Sequence, residues 1–243
     1  ESEYDWFHVP DDRRDEWMEE ALERAMEDYA DRVLSDRAQD QYVMERVRRI
    51  GKRTAWAVLR QLQKGSFIPE ETEVSFRNLE QLPSVSILLS EDERMRLQGR
   101  IDRIDVCRED GKTYVRIIDY KSGNTRFDLT SIYYGLQLQL VVYLNAAMDT
   151  LKNRQQGEVH PAGMFYYHIE DPLLDYEESA DPEQKLLKAL AWNGLANGDR
   201  RVLELMDREM LTGSDVLPVR LKKDGGYTAA SSVADDGQFE LLA

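Results

Sequence analysis

The sequence has 243 residues, of which 42% are hydrophobic, and its formal net charge is −15 at pH 7. These values suit one large domain or two small ones with a hydrophobic core. No apolar run reaches the length of a membrane span, so no membrane association is predicted. The excess of acidic residues argues against a free-standing nucleic-acid-binding module, because such modules are generally basic.

Residues suited to redox chemistry or soft-metal binding are few. The single cysteine, Cys107, excludes an internal disulfide and an all-cysteine metal site within this chain, and it fits a reducing cytoplasm. The three histidines are scattered and lack the spacing of a zinc site. Because the chain begins at Glu1 and not at methionine, we interpret it as a piece of a longer cytoplasmic protein.

The N-terminal part of the chain is predicted to be helical. Apolar periodicity predicts one helix from Asp11 or Asp12 to about Leu34 and a second from about Asp36 to Lys64. Residues 46–64 hold seven basic residues and no acidic one. This stretch could contact phosphate, although a solvated helix face is the more common explanation of such a run.

Strands and one apolar helix follow. Strands are predicted at residues 72–76 and 84–89, in a long hairpin at 95–121, and at 164–168. The helix predicted from Asp128 to about Lys152 is apolar nearly all round, including Leu136 and Leu138, so it should be buried against the sheet. Residues 183–211 are predicted to be helical with an interruption at 193–199, and the last thirty residues to be loop and edge structure.

This order of elements predicts an α/β fold with a mixed β-sheet flanked by helices. We divide the chain into a helical N-terminal arm packed on the core (residues 1–65), the core itself (66–170) and a C-terminal helical and loop extension of the same domain (171–243).

The hairpin has a specific turn. Asp110-Gly111 favours a two-residue type I′ turn, in which both residues adopt positive φ. With these two residues as the loop, antiparallel register places Asp102 directly across from Asp119. Residues two apart on a strand, and residues directly opposed, share one face. Both carboxylates are therefore predicted on the same surface, together with Lys121.

Directly opposed carboxylates repel each other and destabilise a strand pair. A shared hard cation would convert this repulsion into coordination. Alternatively, Arg100 and Lys121, which lie opposite each other on the same face, neutralise the acids in a solvated ion network. Asp105 falls on the other face, across from Arg116, and is predicted to form only a cross-strand ion pair.

Three motifs resemble those of the PD-(D/E)xK nuclease superfamily, in its RecB-like branch. Gly99–Asp102 resembles the branch's Gly-x-x-Asp motif, Asp119–Lys121 its Asp-x-Lys motif, and Gln139–Tyr143 its Gln-x-x-x-Tyr motif on the following helix. The amino-acid sequence in and around these motifs is most similar to the nuclease domain of AddB- or RexB-type subunits of ATP-dependent helicase/deoxyribonucleases. The close match covers residues 70–150.

The resemblance implies a restriction-endonuclease-like core and a magnesium site. Asp102, Asp119 and the main-chain carbonyl of Tyr120 would bind Mg²⁺. Lys121 would orient the attacking water and stabilise negative charge. Gln139 and Tyr143 would hydrogen-bond the Lys121 region or the DNA backbone, or would simply be satisfied polar groups in a helix–sheet contact.

The implied function is exonucleolytic hydrolysis of single-stranded DNA during double-strand break processing, beside a helicase–nuclease partner subunit of the AddA or RexA type. Two features of the family are absent from these residues: the upstream Gly-x-x-x-His motif, and the four cysteines that hold an iron–sulfur cluster in AddB-type subunits. We therefore expect no iron–sulfur cluster here, and the chain by itself could be inactive. The alternative is a catalytically silent nuclease fold that docks a partner or holds DNA.

Overall fold

The computed structural model describes residues 4–33, 38–76, 86–88, 94–96, 99–154, 157–174 and 181–242. In chain order these form α1 (Asp11–Val33), α2 (Ala38–Gln63), β1 (Ile68–Ser75), β2 (Ser86–Leu88), β3 (Arg94–Arg96), β4 (Arg100–Glu109), β5 (Lys112–Lys121), α3 (Leu129–Tyr133), α4 (Gln139–Arg154), β6 (Glu158–His168), α5 (Pro182–Ala189), β7 (Asn193–Asn197), α6 (Arg200–Met206), β8 (Val233–Ala234) and α7 (Asp236–Glu240).

Contacts divide the chain into two compact units, residues 1–63 with 169–190 and residues 64–168 with 191–243. The predicted boundaries at residues 65 and 170 stay predictions. No helix in the described part of the chain has the length and apolar content needed to cross a membrane.

The first unit contains α1, α2 and α5, so the two predicted N-terminal helices are confirmed. The helices α1 and α2 pack closely at Gly51, where a Cβ atom would lie only 2.7 Å from the Met18 side chain. Basic side chains of α2 pair with acidic ones of the same unit: Arg48 and Lys52 with Glu19, Arg49 and Arg53 with Asp171, and Arg60 with Asp11. Much of the basic stretch is thus neutralised internally.

The second unit is built on a six-stranded sheet in the order β1-β4-β5-β6-β7-β8. The pairs β1–β4, β4–β5 and β6–β7 are antiparallel, whereas the pairs β5–β6 and β7–β8 are parallel. The helix α4 packs against β5 and β6. The predicted mixed sheet flanked by helices is therefore confirmed. Of the predicted strand at 84–89, residues 86–88 are described and form β2, which pairs with β3 in a separate ribbon.

The β4–β5 hairpin has the predicted turn and register. Asp110 and Gly111 have φ of 50° and 78°, as a type I′ turn requires. The pairing runs without a bulge from Glu109 opposite Lys112 to Arg103 opposite Ile118. The same register, continued by one residue, sets Asp102 across from Asp119.

The single helix predicted from Asp128 to Lys152 is wrong, because two helices occupy that stretch. Gly135 adopts a φ of 72° just after α3, and its N–H donates to the Ile132 carbonyl oxygen at 2.9 Å. This left-handed residue stops the helix. Leu136 and Leu138, predicted to be buried, are consequently exposed, Leu136 to 80%.

The interruption predicted at residues 193–199 is the strand β7. Gly194 lies so close to β6 that a Cβ atom would overlap the Met164 carbonyl oxygen. Position 194, within the predicted interruption of the helix, therefore requires glycine, because the backbones of β6 and β7 approach closely there. The terminal region contains the edge strand β8, as predicted, and also the short helix α7, which Asp235 caps.

Candidate active site

The predicted site residues meet where β5 ends and α4 begins. Asp119 and Lys121 lie at the carboxyl end of β5, and Gln139 is the first residue of α4. A helix that crosses over between parallel strands starts on the side where the first strand ends. The topology thus brings Gln139 back to the end of β5, eighteen residues after Lys121.

Gln139 links the ends of the two elements through hydrogen bonds. Its Oε1 accepts from the Nζ of Lys121 at 2.9 Å, and its Nε2 donates to the Oδ1 of Asp119 at 3.0 Å. Its Nε2 also donates to the Tyr143 hydroxyl oxygen at 3.0 Å. The Nζ of Lys121 completes the group with an ion pair to the Oδ2 of Asp119 at 2.6 Å. Four of the predicted residues therefore form one connected network.

Asp102 joins this group from the neighbouring strand. Its Oδ2 accepts a hydrogen bond from the main-chain N–H of Tyr120 at 2.9 Å. Asp119 is buried, and its burial raises the pKa of its carboxyl group above the ordinary value, as does the negative charge of Asp102, whereas Lys121 opposes the rise. The predicted convergence of two carboxylates and one ammonium group is therefore present in the geometry.

Gly99 and Tyr143 bring two of the sequence motifs into contact. A Cβ atom on Gly99 would lie 3.1 Å from the Tyr143 hydroxyl oxygen and 3.3 Å from its Cε1. The Tyr143 ring also packs edge-on against Phe76, with centroids 5.3 Å apart. The glycine of the Gly-x-x-Asp motif, Gly99, is therefore explained by the space that the Tyr143 side chain occupies.

Arg100 pairs with an acid other than the two that the ion-network alternative assigned to it. It forms an ion pair with Glu73 at 2.5 Å, and both side chains are largely exposed. Among the residues that the structure describes, the cation paired with a carboxylate of the site is therefore Lys121, and Glu73 is the partner of Arg100.

Two residues of β6 that the sequence analysis missed adjoin the site. Tyr166 lies opposite Asp119 in the parallel pair, and the Nζ of Lys121 is 5.3 Å from the centroid of its ring. Burial, together with Asp119, raises the pKa of Tyr166 to about 12. His168 lies opposite Lys121, and its Nε2 is 2.5 Å from the Thr125 carbonyl oxygen, in the loop that follows β5. Only the parallel β5–β6 register, which is non-local, could have identified them.

The other face of the hairpin carries a buried ion network around Asp105. Its carboxylate contacts the Nη2 of Arg116 and the Nε of Arg103, each at 2.8 Å. Arg103 also donates from Nη1 to the Tyr120 hydroxyl oxygen at 2.7 Å. The predicted Asp105–Arg116 pair is thus present, with a second arginine that holds the side chain of Tyr120 from behind the site.

The oxygen atoms at the site fit a hard divalent cation. Tyr120 binds only one of the two oxygens of Asp102, and the Oδ2 of Asp119 has only the ammonium of Lys121 beside it among the described residues. Within those residues no group of three or more His, Cys, Asp and Glu side chains could hold a metal. Two carboxylates are a small oxygen set, which suits a hard divalent cation that retains several waters.

Comparison with known proteins agrees with this geometry. A sequence profile of the PD-(D/E)XK nuclease superfamily matches residues 5–217, which include all three motifs. The chain is 39% identical over 252 residues to the B-type subunit of the ATP-dependent helicase/deoxyribonuclease from Lachnoclostridium phytofermentans, covering 100% of this chain and 21% of that protein. It is 33% identical over 239 residues to the equivalent protein from Alkaliphilus oremlandii (98% and 21%) and 36% identical over 245 residues to that from Clostridium acetobutylicum (100% and 21%).

This chain therefore spans about a fifth of the length of these relatives. The similarity to AddB-type subunits that the three motifs indicated is confirmed. With the family profile covering most of its length, the chain belongs to the PD-(D/E)XK nuclease superfamily.

Proposed function

We propose that this chain is the Mg²⁺-dependent exonuclease domain of a cytoplasmic helicase–nuclease complex that processes DNA double-strand breaks. It would hydrolyse phosphodiester bonds of single-stranded DNA, beside a partner subunit of the AddA or RexA type. The observation that carries the proposal is the network in which Gln139 joins Asp119 and Lys121 at the end of β5. The relatives' names support a deoxyribonuclease role.

Asp102, Asp119 and the main-chain carbonyl of Tyr120 would hold the Mg²⁺ ion. The chemistry that these residues would gain from a bound ion is polarisation of the scissile phosphate and a lowered pKa of an attacking water. Asp119 is suited to this role because its carboxylate is buried and lies beside the second carboxylate. The main-chain hydrogen bond from Tyr120 fixes Asp102 relative to β5.

Lys121 would act directly on the substrate. Its ammonium group is held by the Gln139 side-chain oxygen and faces the Tyr166 ring, so its position is fixed before any substrate binds. A preorganised cation stabilises the negative charge that develops on a phosphate oxygen without reorganising during the reaction. The same group can orient a water molecule by hydrogen bonding.

Gln139 and Tyr143 are assigned positioning roles. The Tyr143 hydroxyl accepts from the Gln139 amide, and this amide contacts both Asp119 and Lys121. Gln139 thereby sets the separation between the carboxylate and the ammonium group. Tyr143 is itself fixed by Phe76 and Gly99.

The test uses the intact helicase–nuclease with substitutions in this domain. Asp119→Ala removes a metal ligand, so DNA cleavage is expected to be lost while unwinding continues. Lys121→Ala should also abolish cleavage. Glu204→Gln, which alters an exposed ion pair on α6, is the matched control and should cleave normally. Cleavage that survives in Asp119→Ala would contradict the proposal and favour a silent docking or DNA-holding module.

A further inference from the structure

An exposed group of aromatic and apolar side chains lies on α3 and in the turn that leads to α4, in a segment of residues 129–138 that we call the aromatic segment. Tyr133 is 83% exposed and Tyr134 is 69% exposed, and Leu129, Leu136 and Leu138 are exposed beside them. Exposed apolar side chains are normal when they occur singly, but several within one short segment, with the two tyrosine rings in contact, indicate a binding site.

The aromatic segment is firmly held, so its exposure does not come from a loose loop. The Asp128 carboxylate caps α3 by accepting from the backbone N–H groups of Thr130 at 3.1 Å and Ser131 at 3.0 Å. Gln137 closes the other end: its Oε1 accepts from the Asp128 N–H at 2.9 Å, and its Nε2 donates to the Arg126 carbonyl oxygen at 2.8 Å. The tyrosine side chains therefore project from an ordered backbone.

The segment leads directly into the candidate active site. Leu138 precedes Gln139, whose amide contacts Asp119. Tyr134 is five residues before Gln139, and a fully extended chain of that length spans at most about 18 Å. A bound polymer that reaches the site can therefore also contact the tyrosines.

The charge around the segment suits a polyanion. The chain has 47 acidic residues among 243, yet residues 122–148 contain only Asp128, whose carboxylate is engaged in the helix cap. Arg126 adds a positive charge within this stretch, and Lys121, which directly precedes it, is balanced by its ion pair with Asp119. A phosphate backbone thus meets little repulsion here, in contrast to most of this acidic chain.

We propose that Tyr133 and Tyr134 form a stacking platform for the bases of unpaired DNA approaching the candidate site. The two rings meet edge to face, with centroids 5.3 Å apart at 81°, and their exposure leaves ring surface open to a base. Phosphate neutralisation supplies most non-specific DNA affinity, and a chain with a net charge of −15 offers little of it. Base–aromatic stacking tolerates any sequence and supplies affinity of another kind.

The inference deepens the proposed function, since it takes DNA as the ligand, and its test measures binding without cleavage. Anisotropy is measured with the 243-residue chain in EDTA, using a fluorescent oligodeoxythymidine and an abasic oligomer of equal length. We expect the chain to prefer the oligomer that carries bases. Tyr133→Leu and Tyr134→Leu should each lose about fivefold or more of this affinity, whereas Tyr133→Phe should keep it.

Two controls separate stacking from general apolar contact. Leu136→Ala removes an exposed apolar side chain of the same segment, and Tyr42→Leu removes an exposed tyrosine of α2, so both should bind like the wild type. The proposal is wrong if the wild type does not prefer bases, if the tyrosine variants bind normally, or if Leu136→Ala loses as much affinity as they do.

A parallel cleavage assay of the intact helicase–nuclease with Mg²⁺ keeps the two proposals distinguishable. Base-dependent binding through the tyrosines without cleavage would contradict the nuclease assignment alone. Cleavage combined with normal DNA binding by both tyrosine variants would contradict the stacking platform alone, and would leave the segment as a surface for another partner, such as a protein.

Discussion

Replacing Asp105 by asparagine should destabilise the second unit strongly, although the residue lies behind the candidate site. Asp105 is 0% exposed, and the arginines on either side, Arg103 and Arg116, are 4% and 1% exposed. Burial lowers the pKa of Arg116 to about 10 even with Asp105 present. The substitution keeps the shape of the side chain but removes the one negative charge that both cations share, and it directs an amide NH₂ group at guanidinium donors.

The magnitude follows from the burial of the two cations. Removing one partner of a buried ion pair typically costs about 3–5 kcal/mol, because the remaining charge is left without compensation. Arg116 keeps cation–π contacts with Phe67 and Trp192, at 4.6 Å and 4.4 Å from the ring centroids, each worth roughly 0.5–2 kcal/mol. These contacts exist before and after the substitution. They therefore lower the cost of burying the charge in both proteins and leave the difference in free energy of unfolding between wild type and Asp105→Asn unchanged.

The assay is urea unfolding of wild-type and Asp105→Asn chains, followed by circular dichroism. Glu204→Gln is the control, since exposed ion pairs contribute about 0–1 kcal/mol, and its partner Arg200 is half-exposed. We expect the midpoint of Asp105→Asn to fall far below that of the control at an unchanged m-value. A loss of about 1 kcal/mol or less in Asp105→Asn would refute the argument from burial.

Two further outcomes follow from close packing and burial. Gly99→Ala places a Cβ atom 3.1 Å from the Tyr143 hydroxyl oxygen, so it should displace Tyr143 and lower nuclease activity. Gly123→Ala is the control and should cleave normally, because no atom lies within 4 Å of the added Cβ atom. Equal activities of the two variants would contradict the packing role of Gly99. Cys107 is buried, and burial raises the pKa of its thiol. Because the thiolate is the reactive form, alkylation of Cys107 in the folded chain should be slow at neutral pH and should accelerate only above the ordinary pKa range of a thiol. Unfolding in urea should make the alkylation fast. Rapid labelling of the folded chain at neutral pH would contradict this.

The elements that could be predicted from the sequence were those determined by neighbouring residues. Asp110-Gly111 determines its turn through two adjacent residues, and the hairpin register followed from it. The break after α3 was missed because apolar residues continue at helical spacing through Leu136 and Leu138, and only the positive φ of Gly135 separates α3 from α4. A glycine within an apolar run does not by itself reveal that conformation.

The site shows the same contrast. Asp102, Asp119 and Lys121 could be placed on one face from strand alternation and the register that Asp110-Gly111 sets, whereas the roles of Gln139 and Tyr143 entered through the family resemblance. Tyr166 was missed because it reaches the site only through the parallel pairing of β5 with β6. Arg103 could have been found, because it lies two residues before Asp105 on the same face of β4.

The most direct test of the central claim is a calorimetric titration of the chain with Mg²⁺. The wild type should bind one ion, and Asp119→Ala should lose this binding, because the substitution removes the buried carboxylate. Lys121→Ala should bind at least as tightly as the wild type, since its ammonium group competes for the Oδ2 of Asp119 through the 2.6 Å ion pair. Glu204→Gln should bind normally. A wild-type chain that binds no Mg²⁺, or an Asp119→Ala chain that binds it unchanged, would contradict the metal site.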